Sequence, residues 1–523
     1  MKKTALLLAA ILAVAGLSGC GGGKDKPANV SDGNFQLTGM PIVREPVTLR
    51  IVYQRDTSYR PLEELTMFLE LEKRTNVKAD WEMIPTVGWA EKKNLLLASG
   101  DLPDVIFNKG INDIDILANE KLFLPLEGLI EQYAPNIRRF FDETPDARAI
   151  STAPNGHIYN LPQYKPHMPE TNFAMLINKA WLDKANLPVP ATLEEYHTAL
   201  KAFADNDMNG DGSKTDEIPL TAQWWKFDWV FPSFGMAGES GENFFLENGE
   251  MKFRPVDPRY KEAVMYLRKL YADGCIDSES FTQTLAQYNA KIKNPNKDIV
   301  GSFLSFTKDS VLSKERAENY VVIGPLEGPY GKHWNGSVYN KLARNCVEVT
   351  AANKYPEVTI RWLDELFSED MAVQLYYGTL GEDIEKTAGG MYNILPPRDE
   401  KLDYDKSKWM NAPADAAPVG VTPDLEKRII PTPVQKDKID INDMYLPYLP
   451  EENLPPYMLS VEQAKEIQMI NTDIMPIIDQ KFAKWVVEGG IENEWDAYID
   501  QLKKLSVDRM IELRRDALAA YQK

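Results

Sequence analysis

The chain has 523 residues, 44% of them hydrophobic and 10% aromatic, and a formal net charge of −19. That length exceeds a single core and predicts two or three well-packed domains. An acidic excess of this size argues against nucleic acid and against an anionic membrane surface as partners.

The first twenty residues form a pattern of their own. Met1-Lys2-Lys3 carries positive charge, Thr4 to Ala15 is an apolar run, and Leu17-Ser18-Gly19-Cys20 closes it. The run is too short for a comfortable transmembrane helix. It resembles a bacterial lipoprotein signal peptide, which implies cleavage before Cys20 and attachment of diacylglycerol to its thiol. An ordinary secretory signal with a chance cysteine is the alternative. Residues 20–45, opening on Gly21-Gly22-Gly23, read as a flexible tether. Without residues 1–19, 57 basic residues face 78 acidic ones, a net −21. The expected mature protein lies outside the cytoplasm, held to the membrane by its lipid.

Strands and helices then alternate. Val47 to Tyr53 alternates as a strand, Pro61 opens a helix with Leu62, Leu65, Phe68 and Leu69, and Val77 to Ile84 is a second strand. A helix over Val87–Ala98 and a short strand at Asp104–Phe107 complete a unit that predicts a parallel sheet covered on both faces. Further on, Phe173–Asn178 reads as a strand feeding the helix Lys179–Ala185, and Thr192-Leu193-Glu194-Glu195 is a capping box for a helix ending near Asp205. A periodic helix spans Tyr260–Asp273, and strands are expected at Ile299–Phe306 and Tyr320–Ile323. Pro356–Phe367, Asp370–Tyr377 and nearly everything after Val461 read as helix, whereas Met391–Pro456 is rich in Pro, Asp and Lys and reads as irregular. No later stretch approaches eighteen uninterrupted apolar residues, and the four histidines have no zinc-site spacing. Cys275 and Cys346 read as separate buried thiols, although outside the cytoplasm they can also pair.

Three segments carry a resemblance. Ala98-Ser99-Gly100-Asp101-Leu102-Pro103-Asp104-Val105-Ile106-Phe107, Gly156 to Pro162 with Ile177 to Leu182, and Asp207 to Pro219 are similar, in order and spacing, to extracellular solute-binding proteins of sugar ABC importers, within the calcium-loop subfamily that includes alginate-oligosaccharide binders. The resemblance implies an α/β, two-lobed, hinged periplasmic-binding-protein-like fold with extra C-terminal helices. It implies a first lobe beginning at 46–165, a second lobe over 166–300, segments returning between lobes over 301–400, and an irregular segment with terminal helices over 401–523. The implied role is binding, without catalysis, of a carbohydrate by a monomer that delivers it to permease subunits.

Asp205-Asn206-Asp207-Met208-Asn209-Gly210-Asp211-Gly212-Ser213-Lys214-Thr215-Asp216-Glu217 places oxygen side chains at alternate positions with glycines between, as a tight calcium loop requires. An EF-hand register starts at Asp205 and ends at Asp216. The register implied by the resemblance uses Asp207, Asn209, Asp211, Ser213, Asp216 and Glu217, with its closing acid pair one residue late. Either way the expected role of calcium is structural. A sugar site needs aromatic faces and planar polar side chains, offered at the ends of strands. Asp56, Asn108, Tyr164, Trp224, Trp225, Trp334 and Glu382 are the candidates. A calcium-dependent glycoside-active enzyme, a sensor and a peptide binder remain as alternatives; no Gly-x-Ser-x-Gly elbow, His-Glu-x-x-His helix or Walker loop is present.

Overall fold

A computed structural model describes residues 33–171, 173–239, 242–308 and 311–522; the side chains of 224–226, 314 and 415 are outside that description. The leader, Cys20 and the first part of the tether lie outside the described residues. In chain order the strands are β1 (Val47–Arg55), β2 (Val77–Pro85), β3 (Val105–Phe107), β4 (Asn160–Tyr164), β5 (Ala174–Asn178), β6 (Ile218–Leu220) and β7 (Phe244–Glu247). They continue with β8 (Glu250–Phe253), β9 (Val300–Ser305), β10 (Tyr320–Ile323), β11 (Leu342–Val349), β12 (Ile384–Lys386), β13 (Tyr392–Ile394) and β14 (Ile429–Ile430).

Two sheets define two lobes. The first has the order β2-β1-β3-β11-β4. β1 pairs parallel with β2 and β3, as expected from the crossover helices, whereas β11 runs antiparallel to β3 and β4. Alternation along β1 divides its side chains between two cores. Leu49, Ile51 and Tyr53 enter one with Phe68 and Trp362, while Val52 enters the other with Ile106 and Trp89. The second sheet has the order β10-β5-β9-β6, antiparallel except for the parallel β6–β9 pair. Met175 and Ile177 of β5 face the large core of this lobe, and Leu176 faces a smaller one with Tyr288 and Phe303.

Local chemistry sets several element ends. The Pro61 turn is a 3-10 piece, Leu62–Glu64, before the α-helix Thr66–Thr75, because the Tyr53 hydroxyl accepts from Leu62 N at 2.9 Å. The second helix starts at Trp89 rather than Val87, since Thr86–Gly88 forms a separate turn that leaves Val87 exposed. Thr192 caps the helix Leu193–Asp205 through Glu195 N at 3.1 Å, but Glu195 returns its bond to Ala191 N. The stretch read as irregular is a correction. It holds β13, β14 and the helices Tyr404–Asn411 and Pro433–Tyr445, which depend on partners distant in sequence. The terminal helices Val461–Val487, Ile491–Lys504 and Val507–Tyr521 pack on the second lobe, with Trp485 buried against Trp495 and Tyr498. Cys275 and Cys346 form no disulfide and lie in different lobes. No described helix is long and apolar enough to cross a membrane.

The chain passes between the lobes after β4, after β10 and after β14. Side chains tie these passages together. Asn340 Nδ2 donates to Glu170 O at 2.6 Å, Asn442 Nδ2 donates to Glu170 Oε2 at 2.6 Å, and Thr171 N donates to Asn442 Oδ1 at 3.2 Å. Crossing segments laced in this way, a loop at Glu170, a 3-10 turn at Asn340 and a helix at Asn442, are the ingredients of a hinge.

Candidate functional site: the interlobe cleft

Strand directions fix which ends face each other. β4 leaves the first sheet at Tyr164 and the chain enters the second at Ala174, so the C-terminal ends of β1, β3 and β4 face the C-terminal ends of β6 and β9. Open α/β sheets place their ligands at such strand ends.

On the first lobe, β1 ends at buried Arg55. Its guanidinium donates to Trp409 O at 2.7 Å and Ala412 O at 3.1 Å, and it lies 5.5 Å from the Tyr59 ring centroid. Burial lowers its pKa to about 10. The Tyr59 and Trp409 rings stack at 5.9 Å with 20° between planes, and both are half-buried. Arg60 donates to Asn411 Oδ1 at 3.3 Å and Asn411 Nδ2 to Asp383 Oδ1 at 3.1 Å. Burial raises the Asp383 carboxyl, and Arg398 bridges it to Glu382. The result is an aromatic shelf whose polar edge is fixed by hydrogen bonds, the form of surface that meets a sugar's C–H face and hydroxyls.

Next to it, β3 ends in two successive left-handed residues, Asn108 (φ 68°) and Lys109 (φ 56°). The turn is pinned by Trp89 Nε1, which donates to Gly110 O at 2.6 Å. A Cβ on Gly110 would lie 2.6 Å from the Trp89 ring, so this position accepts only glycine without rearrangement. Asn108 Nδ2 donates to Gln54 O at 3.2 Å, and its Oδ1 is buried without a partner.

The second lobe answers with Thr221–Gln223 after β6 and Phe306 after β9. Gln283 Nε2 donates to Thr221 Oγ1 at 3.0 Å and Ala222 O at 2.7 Å; the amide oxygens of Gln223 and Gln283 are buried and unpartnered. Phe306 is 45% exposed, and its ring meets that of Phe173 at 4.7 Å. Lys438 links the walls, 5.8 Å from the Phe306 ring and 3.2 Å from Asp405 Oδ2 of the first lobe. Unpaired buried polar atoms are rare in folded proteins; Arg55 Nε, Asn108 Oδ1 and Gln223 Oε1 belong to residues at or just after these strand ends, and Gln283 Oε1 to a residue hydrogen-bonded to the end of β6.

The sequence candidates fall in different places. Asp56 lies exposed at this end of β1, with its carboxyl held low by Ser58 Oγ and N. Asn108 and Glu382 sit at or beside the shelf, and Glu382 Oε1 accepts from Thr66 Oγ1 at 2.8 Å. Tyr164 is buried, donating to Glu426 Oε2 at 2.8 Å beside the hinge. Trp334 is a correction: it is 4% exposed, packed on Tyr445, with Nε1 donating to Phe173 O at 3.2 Å. The backbone of Trp224 and Trp225 opens a 3-10 helix, Trp224–Phe234, but their side chains lie outside the description. The shelf residues Tyr59, Trp409 and Asn411 are not among the sequence candidates; a lone tryptophan in an otherwise polar stretch is the signal that points to them.

The Asp207–Glu217 loop stands at the opposite end of the second sheet, before β6. Asp207 Oδ1 and Oδ2 accept from Gly210 N and Gly212 N, which hold its carboxyl low. Asn209 Oδ1 accepts from Asp211 N, Asp211 Oδ1 accepts from Ser213 N, and Glu217 Oε1 accepts from Met208 N and Asn209 N. Asp205 instead pairs with Lys201, so the structure turns Glu217 into the loop and Asp205 away. Asp216 Oδ1 and Glu217 Oε2 are buried without a partner, as hard-cation ligands would be. Among the described residues, however, no three acidic, histidine or cysteine side chains converge into a metal cage.

Two lobes, a laced hinge and a polar, aromatic-edged cleft define a protein that closes over a solute. The chain belongs to the bacterial extracellular solute-binding proteins, a family matched over residues 55–373. It is 31% identical to the fructooligosaccharide ABC transporter substrate-binding protein FusA of Streptococcus pneumoniae, across all of this chain and 98% of that one. The structure of FusA in complex with kestose superposes with a TM-score of 0.77 at 29% identity, covering 91% of this chain and 99% of that one. A further FusA structure is of its EF-hand mutant in complex with fructo-nystose, also with a TM-score of 0.77 at 29% identity and the same 91% and 99% coverage. The HMO-binding, ABC-transporter-associated protein of Bifidobacterium longum infantis shares the fold with a TM-score of 0.83 at 24% identity, covering 91% and 99%.

Proposed function

We propose that this chain captures a neutral oligosaccharide of the fructan type between its lobes and delivers it intact to an ABC permease. The observation that carries the reading is identity to a fructooligosaccharide binder over the whole length of the chain. The Tyr59–Trp409 shelf and the unpaired amide oxygens of Asn108, Gln223 and Gln283 support the same reading, because a sugar supplies both C–H faces and hydroxyl donors. Asp56, Asn108 and Glu382 are assigned to the polar edge of the cleft, and Trp224 and Trp225 to its second-lobe wall.

In this reading Cys20 carries the lipid that keeps the protein at the outer side of the cell membrane, and the protein works as a monomer. Calcium in the Asp207–Glu217 loop stabilises the second lobe without touching the sugar, since the loop is at the far end of the sheet from the cleft. Incubation with kestose, fructo-nystose and an acidic oligosaccharide tests the assignment. Saturable binding of the neutral sugars, recovered unchanged, supports it. Cleavage of the sugar, or preference for the acidic one, refutes it.

A further inference from the structure

Two side-chain ammonium groups meet the acidic loop: Lys184 Nζ donates to the backbone at Asp207 O (2.7 Å), and Lys297 reaches its carboxylates. Lys297 lies between the helix Leu285–Ile292 and β9, and its ammonium donates to both Asp211 Oδ2 and Asp216 Oδ2. Asp216 Oδ2 also accepts from Asn209 Nδ2 at 3.0 Å. Asp207 and one oxygen of Glu217 are matched by backbone N–H groups instead. What remains unmatched is the buried pair Asp216 Oδ1 and Glu217 Oε2, and Glu217 is only 9% exposed. One ammonium therefore holds the outer oxygens of two carboxylates, while two inner oxygens have no donor.

A divalent cation reaching those inner oxygens would draw Asp211 and Asp216 toward itself. Two cations sharing the same carboxylates repel each other at close range, so metal and ammonium are alternatives. We propose that Lys297 is an internal counter-cation that competes with calcium for Asp211 and Asp216, keeping the loop folded without metal and weakening its hold on calcium. The inference rests on the calcium reading of the loop and adds the residue that sets its affinity.

Calcium titrated calorimetrically into chelator-stripped wild type, K297M and K291M tests it, together with thermal unfolding in chelator. Lys297 is surface-accessible, so K297M leaves the core intact; Lys291 pairs with Asp277 and Glu279, away from the loop. The expected result is calcium binding roughly three- to tenfold tighter in K297M, a lower melting temperature than wild type in chelator, and wild-type affinity in K291M. Equal or weaker affinity in K297M overturns the competition and makes Lys297 an outer partner of the loaded loop. Absence of calcium binding in all three proteins overturns the calcium reading and the competition together. A lower melting temperature of K297M in chelator would then identify Lys297 as the counter-ion of a metal-free loop.

Discussion

At the end of the second-lobe sheet that faces the first lobe, Gln223 and Gln283 keep buried amide oxygens without partners, beside an exposed Phe306. At the other end, the acidic loop spends most of its oxygens on its own backbone and on Lys297. Both ends are polar and both keep buried oxygens without partners, but the cleft end keeps neutral amide oxygens and the loop end keeps two carboxylate oxygens, Asp216 Oδ1 and Glu217 Oε2, among others already matched. An unsatisfied buried polar group costs about 1–3 kcal/mol; in the proposed reading a sugar relieves that cost at the cleft end and a cation relieves it at the loop end. Changes at the cleft should therefore move affinity, and changes at the loop should move melting temperature.

The largest effect is expected from W409A, which removes the stacked face while Arg55 keeps its carbonyl partners. Kestose affinity should fall about 30-fold or more, a hot-spot loss of roughly 2 kcal/mol, with the melting temperature of the free protein little changed. A large fall in melting temperature would make Trp409 a structural residue and blur the contrast. G110A comes next: its Cβ collides with Trp89 and Ile106, and overpacking of this kind costs about 1–3 kcal/mol. Because Gly110 also shapes the turn carrying Asn108, calorimetry should show both stability and sugar affinity falling. Chelation should lower the melting temperature of calcium-loaded protein by roughly 2–4 °C and leave sugar affinity unchanged; a shift in affinity would couple the two ends.

The smallest effect concerns pH and the first lobe. Asp364 caps the helix Pro135–Glu143 through Asn136 N and Ile137 N, and burial pushes its carboxyl up to about 6. Glu348, fully buried with neither oxygen partnered, is raised in the same direction by burial. A raised folded-state pKa contributes stability below the unfolded value, near 4, that is lost as pH rises through about 6. Between pH 5 and 7 the wild type should lose melting temperature relative to the D364N/E348Q double variant. Parallel pH profiles of the two proteins would count against this origin.

Much of this was legible from local pattern. The β1–β2–β3 unit, the capped helix after Thr192 and the terminal helices follow from periodicity, caps and β-rich runs that act over a few residues. β11 did not follow, because a strand from residue 342 inserts antiparallel between β3 and β4 only after the chain has visited the second lobe. Trp409 was hidden for a related reason. The helix Tyr404–Asn411 buries none of its residues, so it shows no apolar stripe, and its place is set by Arg55 at the end of β1. Trp334 erred the other way, since a Gly-rich context suggested an open loop where Tyr445 covers the ring. The acid spacing named the loop, but nothing near it in sequence announced Lys297, which arrives from eighty-one residues beyond Asp216.

The most direct test of the cleft as the working site is a calorimetric titration of kestose into wild type and W409A under identical calcium-loaded conditions. One saturable site in the wild type, weakened about 30-fold or more in W409A, is the expected result. Absence of binding in the wild type, or equal affinity in the two proteins, would contradict a sugar site on the Tyr59–Trp409 shelf.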